Sequence, residues 1–91
     1  MKRLVARWEA KGGKRFIELF HNDTPTSCYY SYEGDGCGGT IPHHDTFADA
    51  HGNALHGDEA AIAYMERPWG RSGAGPITVL RSDFPSTKRV K

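Results

Sequence analysis

The sequence predicts a small two-layer α+β domain: a mainly antiparallel sheet of three to five strands with one helix across a face, in the order β-β-β-loop-α-β. Three observations carry that expectation. Residues 3–10 and 15–21 alternate in polarity on either side of Lys11-Gly12-Gly13-Lys14, the pattern of a hairpin. Asp58-Glu59-Ala60-Ala61-Ile62-Ala63-Tyr64-Met65-Glu66 combines helix formers with acidic residues at its start. The chain has 91 residues, 37% of them hydrophobic, with 11 Gly and 5 Pro. That is one domain with one core and long irregular connections.

The elements follow in order. Over residues 3–10, Leu4, Ala6 and Trp8 share one side, and Arg3, Arg7 and Glu9 share the other with Val5. Gly12-Gly13 supplies positive φ for a tight turn. In the returning strand, Phe16, Glu18 and Phe20 oppose Ile17 and Leu19. Asn22-Asp23-Thr24-Pro25-Thr26 is turn chemistry. Residues 27–33 form a third strand, with Tyr30 and Tyr32 facing one way and Tyr29 and Ser31 the other. Gly34-Asp35-Gly36-Cys37-Gly38-Gly39 breaks it, and residues 40–57 show no period and read as a long loop with short edge pairings at Thr40-Ile41 and Thr46-Phe47.

Asp58 is the expected N-cap of the helix, Ala61 and Met65 its buried stripe with Ile62 beside them, and Pro68 its stop. A glycine loop over residues 69–75 then leads to a last strand over residues 76–82, near the sheet centre, with Ile77 and Val79 opposing Thr78 and Leu80. The domain is expected over residues 1–85, with 86–91 a flexible basic tail.

Charge is sorted along the chain. Residues 16–66 hold nine carboxylates and no Lys or Arg, while all 12 Lys and Arg lie in the flanks; the net charge is +1. The acidic stretch can steer towards a positively charged partner or be neutralised by the flanks. Tyr beside acid favours a protein interface, because Tyr is enriched there. The candidate contacts are Tyr29, Tyr30, Tyr32, Glu33, Asp35, Asp45 and Asp49. No apolar run reaches the ~18 residues that span a bilayer. The start, Met1-Lys2-Arg3-Leu4, has charge without an apolar stretch behind it, which argues against a signal peptide and for the cytoplasm, with both cysteines reduced.

No motif names a reaction, and the expectation is a protein without catalytic residues or a cofactor. Cys28, Cys37, His43 and His44 are donors of the right type for zinc, with His51 and His56 nearby, but their spacing fits no recognised pattern. Surface histidines in a loop and a pair of small buried or half-buried thiols are the favoured reading, with a structural zinc as the lesser one. Cys37 among glycines near histidines could serve a nucleophile's role, yet such pairs are set by the fold and carry no local signature here. Gly70-Arg71-Ser72-Gly73-Ala74-Gly75 leads to an expected strand, the reverse of a phosphate-cradling loop. The basic flanks with Trp8 and Trp69 offer a nucleic-acid surface, weakened by the near-neutral total.

Small size, the hairpin about Gly12-Gly13 and the closing run from Asp58 through Trp69-Gly70 to Ile77-Thr78-Val79-Leu80 resemble phage- or prophage-encoded inhibitors of the anti-CRISPR kind. That resemblance covers the two ends of the chain and leaves residues 22–57 unmatched. It implies a non-enzymatic protein that binds a host complex such as a CRISPR effector. The acidic, Tyr-containing surface would then meet a basic nucleic-acid groove. The alternative is a small nucleic-acid-binding or zinc-stabilised domain that uses the basic flanks or the Cys/His set.

Overall fold

A computed structural model of the protein describes residues 2–22, 30–34, 36–41, 47–48, 51, 54–55, 57–69, 71 and 75–91, of which 47–48 and 54–55 are described in backbone only. The chain is α+β: a five-stranded antiparallel sheet with two helices. The strands are β1 (Lys2–Ala10), β2 (Arg15–Asn22), β3 (Tyr30–Gly34), β4 (Cys37–Ile41), β5 (Phe47–Ala48), β6 (Ala54–Leu55) and β7 (Lys88–Arg89); the helices are α1 (Gly57–Glu66) and α2 (Pro76–Asp83). The main sheet runs β4-β3-β2-β1-β7, and β5 pairs with β6 separately.

The first hairpin forms where expected, with Ala10 opposite Arg15 and both Gly12 and Gly13 at positive φ. Lys11 also adopts a positive φ, so the turn spans Lys11 to Lys14 rather than the glycine pair alone. The expected alternation of β1 holds only in part. Its register shifts between Leu4 and Ala6, a bulge that adds one residue. Ala6, Trp8 and Ala10 therefore face the core, while Leu4 lies opposite Phe20 on the other face. The same bulge turns Arg3 to the helix side.

Towards the C-terminus the expected layout is corrected in two places. Residues 76–82 are helical, not a central strand. Gly75 is the N-cap and Pro76 sits at the first helical turn, where its fixed φ suits a helix and its missing N–H costs nothing. Ile77 and Leu80 are buried three residues apart while Val79 is exposed, the spacing of a helix face. The β-branched run favours a strand; the burial of one helical stripe outweighs it. Residues 86–91, expected as a loose tail, carry β7. Buried Thr87 fixes the approach: its backbone N–H and its hydroxyl both donate to the Phe84 carbonyl, at 2.9 and 2.6 Å. Lys88 then pairs with Glu9 and Arg89 with Trp8.

Both helices pack on one face of the sheet. Ala6, Trp8, Ile17 and Leu19 from β1 and β2 and Ile41 from β4 meet Ala61 and Met65 of α1 and Ile77 and Leu80 of α2 in one core. Trp8, Leu19, Met65 and Ile77 are 0% exposed. Burial on this scale stabilises each large side chain by roughly 1.5–3 kcal/mol. The anticipated α1 stripe, Ala61 and Met65 with Ile62 packed beside them, is the one observed, and the helix ends at Glu66 ahead of Pro68. Among the described residues no helix is long and apolar enough to cross a membrane.

Candidate functional site

The acidic middle is largely tied to the basic flanks where its side chains are described. On the face away from the helices, Arg7 donates to Glu9 and lies 2.9 Å from Glu18, and Lys2 lies 3.3 Å from Glu33. Those cations also cap aromatic rings: Arg7 sits 4.1 Å from the Phe16 centroid and Lys2 4.3 Å from that of Phe20. Hydrogen bonding to Glu9 is the main reason that the Arg7 guanidinium is held above its usual pKa. On the helix side, Arg3 makes a two-point contact with Asp58, at 3.0 and 3.2 Å. The Trp8 indole donates to Glu66 Oε2 at 2.9 Å, and Arg81 donates to the same oxygen at 3.0 Å. Glu66 thus binds α1 to both β1 and α2.

Of the seven anticipated contact residues, three are described, and these lie on two faces. Tyr30 and Tyr32 lie opposite His21 and Leu19, on the helix-covered face, whereas Glu33 lies opposite Glu18 on the other face. They do not form one patch. Tyr30 is a structural tie: its hydroxyl donates to Asp58 Oδ1 at 2.7 Å. Desolvation, then the bond to Asp58, pushes its pKa up to about 12. Hydrogen bonding from Arg3 leads the causes that hold the Asp58 carboxyl below its usual value; α1 begins at Gly57, so Asp58 lies inside its first turn rather than at the expected N-cap. Tyr29, Asp35, Asp45 and Asp49 lie outside the described residues, as do Cys28, His43 and His44.

Tyr32 is placed differently from Tyr30. Its ring lies against Trp69 at 5.8 Å between centroids, edge to face, and Trp69 in turn meets Tyr64 at 4.9 Å. The Trp69 indole donates to the Tyr64 carbonyl at 2.7 Å, which fixes its orientation. Burial is the main cause that raises the Tyr32 pKa. Beside this aromatic pair is a cleft of about 290 Å³ between the β3–β4 hairpin and α2. Ile17, Leu80 and Pro76 belong to its lining; Tyr32 and Trp69 supply aromatic surface; Cys37, Val79 and Asp83 complete it. Cys37, Val79 and Asp83 are exposed, with Val79 at 45%.

Glycine makes this corner possible. Gly34 has φ of +134°, and a Cβ there would stand 2.4 Å from the Phe16 carbonyl oxygen, so the hairpin tolerates no side chain at that turn. A Cβ on Gly39 would stand 2.9 Å from the Tyr32 hydroxyl, so the bare backbone of β4 is what admits the Tyr32 ring. The stretch expected to break the sheet is therefore its edge strand from Cys37 onward, with Gly39 opposite Tyr32 and Cys37 opposite Gly34.

Among the described residues, the other chemistry-bearing features have structural roles. The Cys37 thiol donates to the Gly34 carbonyl at 2.9 Å and closes the hairpin. Trp8 is buried, so it cannot stack on a base. The glycine loop does precede a helix rather than a strand, but Pro76 offers no N–H and Gly75 is buried under Trp69, 3.0 Å from where a Cβ would be. Sequence reasoning missed the cleft because it put Val79 in a strand. The signal that could have found it is Pro76 followed by Ile77 and Leu80 at helical spacing, which leaves Val79 on the outer side.

Comparison of the chain with protein-family models, curated proteins and solved structures finds no match.

Proposed function

We propose that this protein is a non-enzymatic binding protein that acts by docking stoichiometrically on a partner protein, and that its contact surface is the cleft beside β4. The observation that carries the reading is the Tyr32–Trp69 pair held edge to face at the wall of a cleft whose rim includes exposed Val79. Aromatic anchors in a partly desolvated recess are what protein interfaces concentrate their binding energy on. The acidic stretch contributes less to this reading than its charge count implies, because Glu18, Glu33, Asp58 and Glu66 are each held by a cation of the flanks.

The partner class follows from the resemblance to phage-encoded inhibitors: a nucleic-acid-handling host complex, with CRISPR effectors the first candidates. Incubation with a panel of purified effectors should block target-DNA binding or cleavage by one of them near equimolar protein. Val79→Asp should remove that inhibition without altering the fold, since the side chain is exposed. Inhibition that survives Val79→Asp would move the contact surface elsewhere. No inhibition of any effector would reject the CRISPR assignment.

A nucleic-acid-binding reading has weaker support. Phe16 and Phe20 lie on the helix-free face, but Arg7 and Lys2 cover their rings and share their charge with Glu18 and Glu33.

A further inference from the structure

The cleft is one half of the surface; the other half is backbone. β4 stands at the end of the sheet and, among the described residues, has a strand on one side only. In an antiparallel ladder alternate residues of such a strand direct their N–H and C=O groups outward. Proteins guard that edge with Lys, Pro, bulges or inward charges. β4 reads Cys37-Gly38-Gly39-Thr40-Ile41: it has no charge and no Pro, and its pairing with β3 runs without a register shift. All but Ile41 are exposed.

We propose that β4 accepts an extended segment of a partner protein as a sixth strand, and that one apolar side chain of that segment enters the adjoining cleft. The proposal rests on the binding-protein reading and names its partner's chemistry. Cys37, Gly39 and Ile41 share the helix-side face of β4, because they lie opposite Gly34, Tyr32 and Tyr30. A strand laid beside β4 places every second side chain on that same face. Cys37 belongs to the cleft lining, so a side chain near it points into the recess. The volume, about 290 Å³, is at the small end of ligand pockets and suits an aromatic or branched side chain.

Asp83 sets the second requirement. It is exposed at the cleft, and a residue two places from the apolar one shares its face. Lys or Arg at that place meets Asp83. The occupant is thus an extended segment with Phe, Tyr or Leu at one position and Lys or Arg two places to either side of it. A second copy of the chain is a poorer occupant. Its β4 presents Cys37, Gly39 and the buried Ile41 on this face, which neither fill the cleft nor offer a cation.

Fluorescence anisotropy with a labelled peptide, Thr-Lys-Thr-Phe-Thr-Lys-Thr, tests the proposal on the whole chain. Lys, Phe and Lys alternate on one face of this probe. We expect saturable binding that Val79→Asp weakens at least tenfold. Asp83→Asn should weaken it roughly three- to tenfold, about 0.7–1.4 kcal/mol, with a shallower salt dependence. The fully N-methylated peptide keeps the side chains but cannot lie against an edge strand, and should bind at least tenfold more weakly. No binding of the parent peptide overturns strand addition. Equal binding of the N-methylated peptide overturns it in favour of simple side-chain capture. A dimer by light scattering that the peptide does not dissociate overturns it in favour of a second copy. Inhibition of an effector that is lost in Val79→Asp while the peptide fails to bind would sink this inference alone and leave the binding-protein reading in place.

Discussion

The two ends of the sheet are finished in different ways. At the β7 end the edge strand is two residues long and both are cationic, and Val90 closes it with a backbone bond to the Arg7 carbonyl at 2.8 Å. Behind it, Glu66 joins Trp8 and Arg81, and Lys11 lies over the Phe84 ring at 4.7 Å. A groove of about 460 Å³ does run along this end, but Val5, Ile62 and Ala63 there are rimmed by both signs of charge, Glu59 and Glu66 against Arg89 and Lys91. At the β4 end the edge is uncharged, glycine-bearing and longer, and the recess beside it has aromatic walls. One end carries the devices that keep strands from pairing with strangers; among the described residues of the other, Cys37–Ile41, there are none. The difference teaches that an unguarded edge, rather than a count of carboxylates, singles out the surface proposed for binding.

The contrast can be broken first at the β4 end. Gly34→Ala places a Cβ against the Phe16 carbonyl at a positive φ, so we expect a loss of about 3 kcal/mol by urea denaturation, with the β3–β4 hairpin opened. Glu66→Ala attacks the other end. It leaves the buried Trp8 indole without its acceptor and Arg81 without its partner, and should cost about 2 kcal/mol by the same measurement while peptide binding at β4 persists in the folded fraction.

Alkali and acid separate the structural tyrosine from the cleft. Tyr30 has a folded pKa pushed up to about 12 from an ordinary 10.0, so its contribution is complete below the ordinary value and is lost as pH rises towards 12. Thermal melts should show a steeper alkaline loss for the wild type than for Tyr30→Phe. Asp58 has the opposite sign: its lowered pKa gives stability above the ordinary carboxylate value of 3.8 that disappears as pH falls through the folded value. The smallest expected effects on stability come from the rims. Val79→Asp and Lys88→Glu should each stay within about 0.5 kcal/mol of the wild type by denaturation, since both side chains are exposed. Only the first should disturb binding.

Much of the fold was legible because it is local. The Gly12-Gly13 hairpin, the Phe16–Phe20 alternation and the Ala61–Met65 stripe are all set by neighbours within a few residues. What was not legible depended on partners far along the chain. The Val5 bulge shows no mark in the sequence, yet it sends Arg3 to Asp58 and Leu4 to the opposite face. Ile77-Thr78-Val79-Leu80 has strand-like side chains that mask the helical cue of Pro76, and packing against the sheet favours the stripe of Ile77 and Leu80. Lys88 and Arg89 read as part of a tail because the residues they pair with, Glu9 and Trp8, lie at the other end of the chain. Of the candidate site, Tyr32 and Cys37 stand out in the sequence, but as members of an acidic surface and a metal set; that they line a cleft with Trp69 and Val79 depends on the helix at Pro76.

Amide chemical shifts recorded by two-dimensional NMR during titration with Thr-Lys-Thr-Phe-Thr-Lys-Thr compare the two ends in one experiment. The account predicts that Cys37, Gly38, Gly39, Thr40 and Ile41 move together with the Trp69 indole, while Lys88, Arg89 and Val90 stay still. Shifts confined to the β7 end, or spread evenly over both ends, would contradict it.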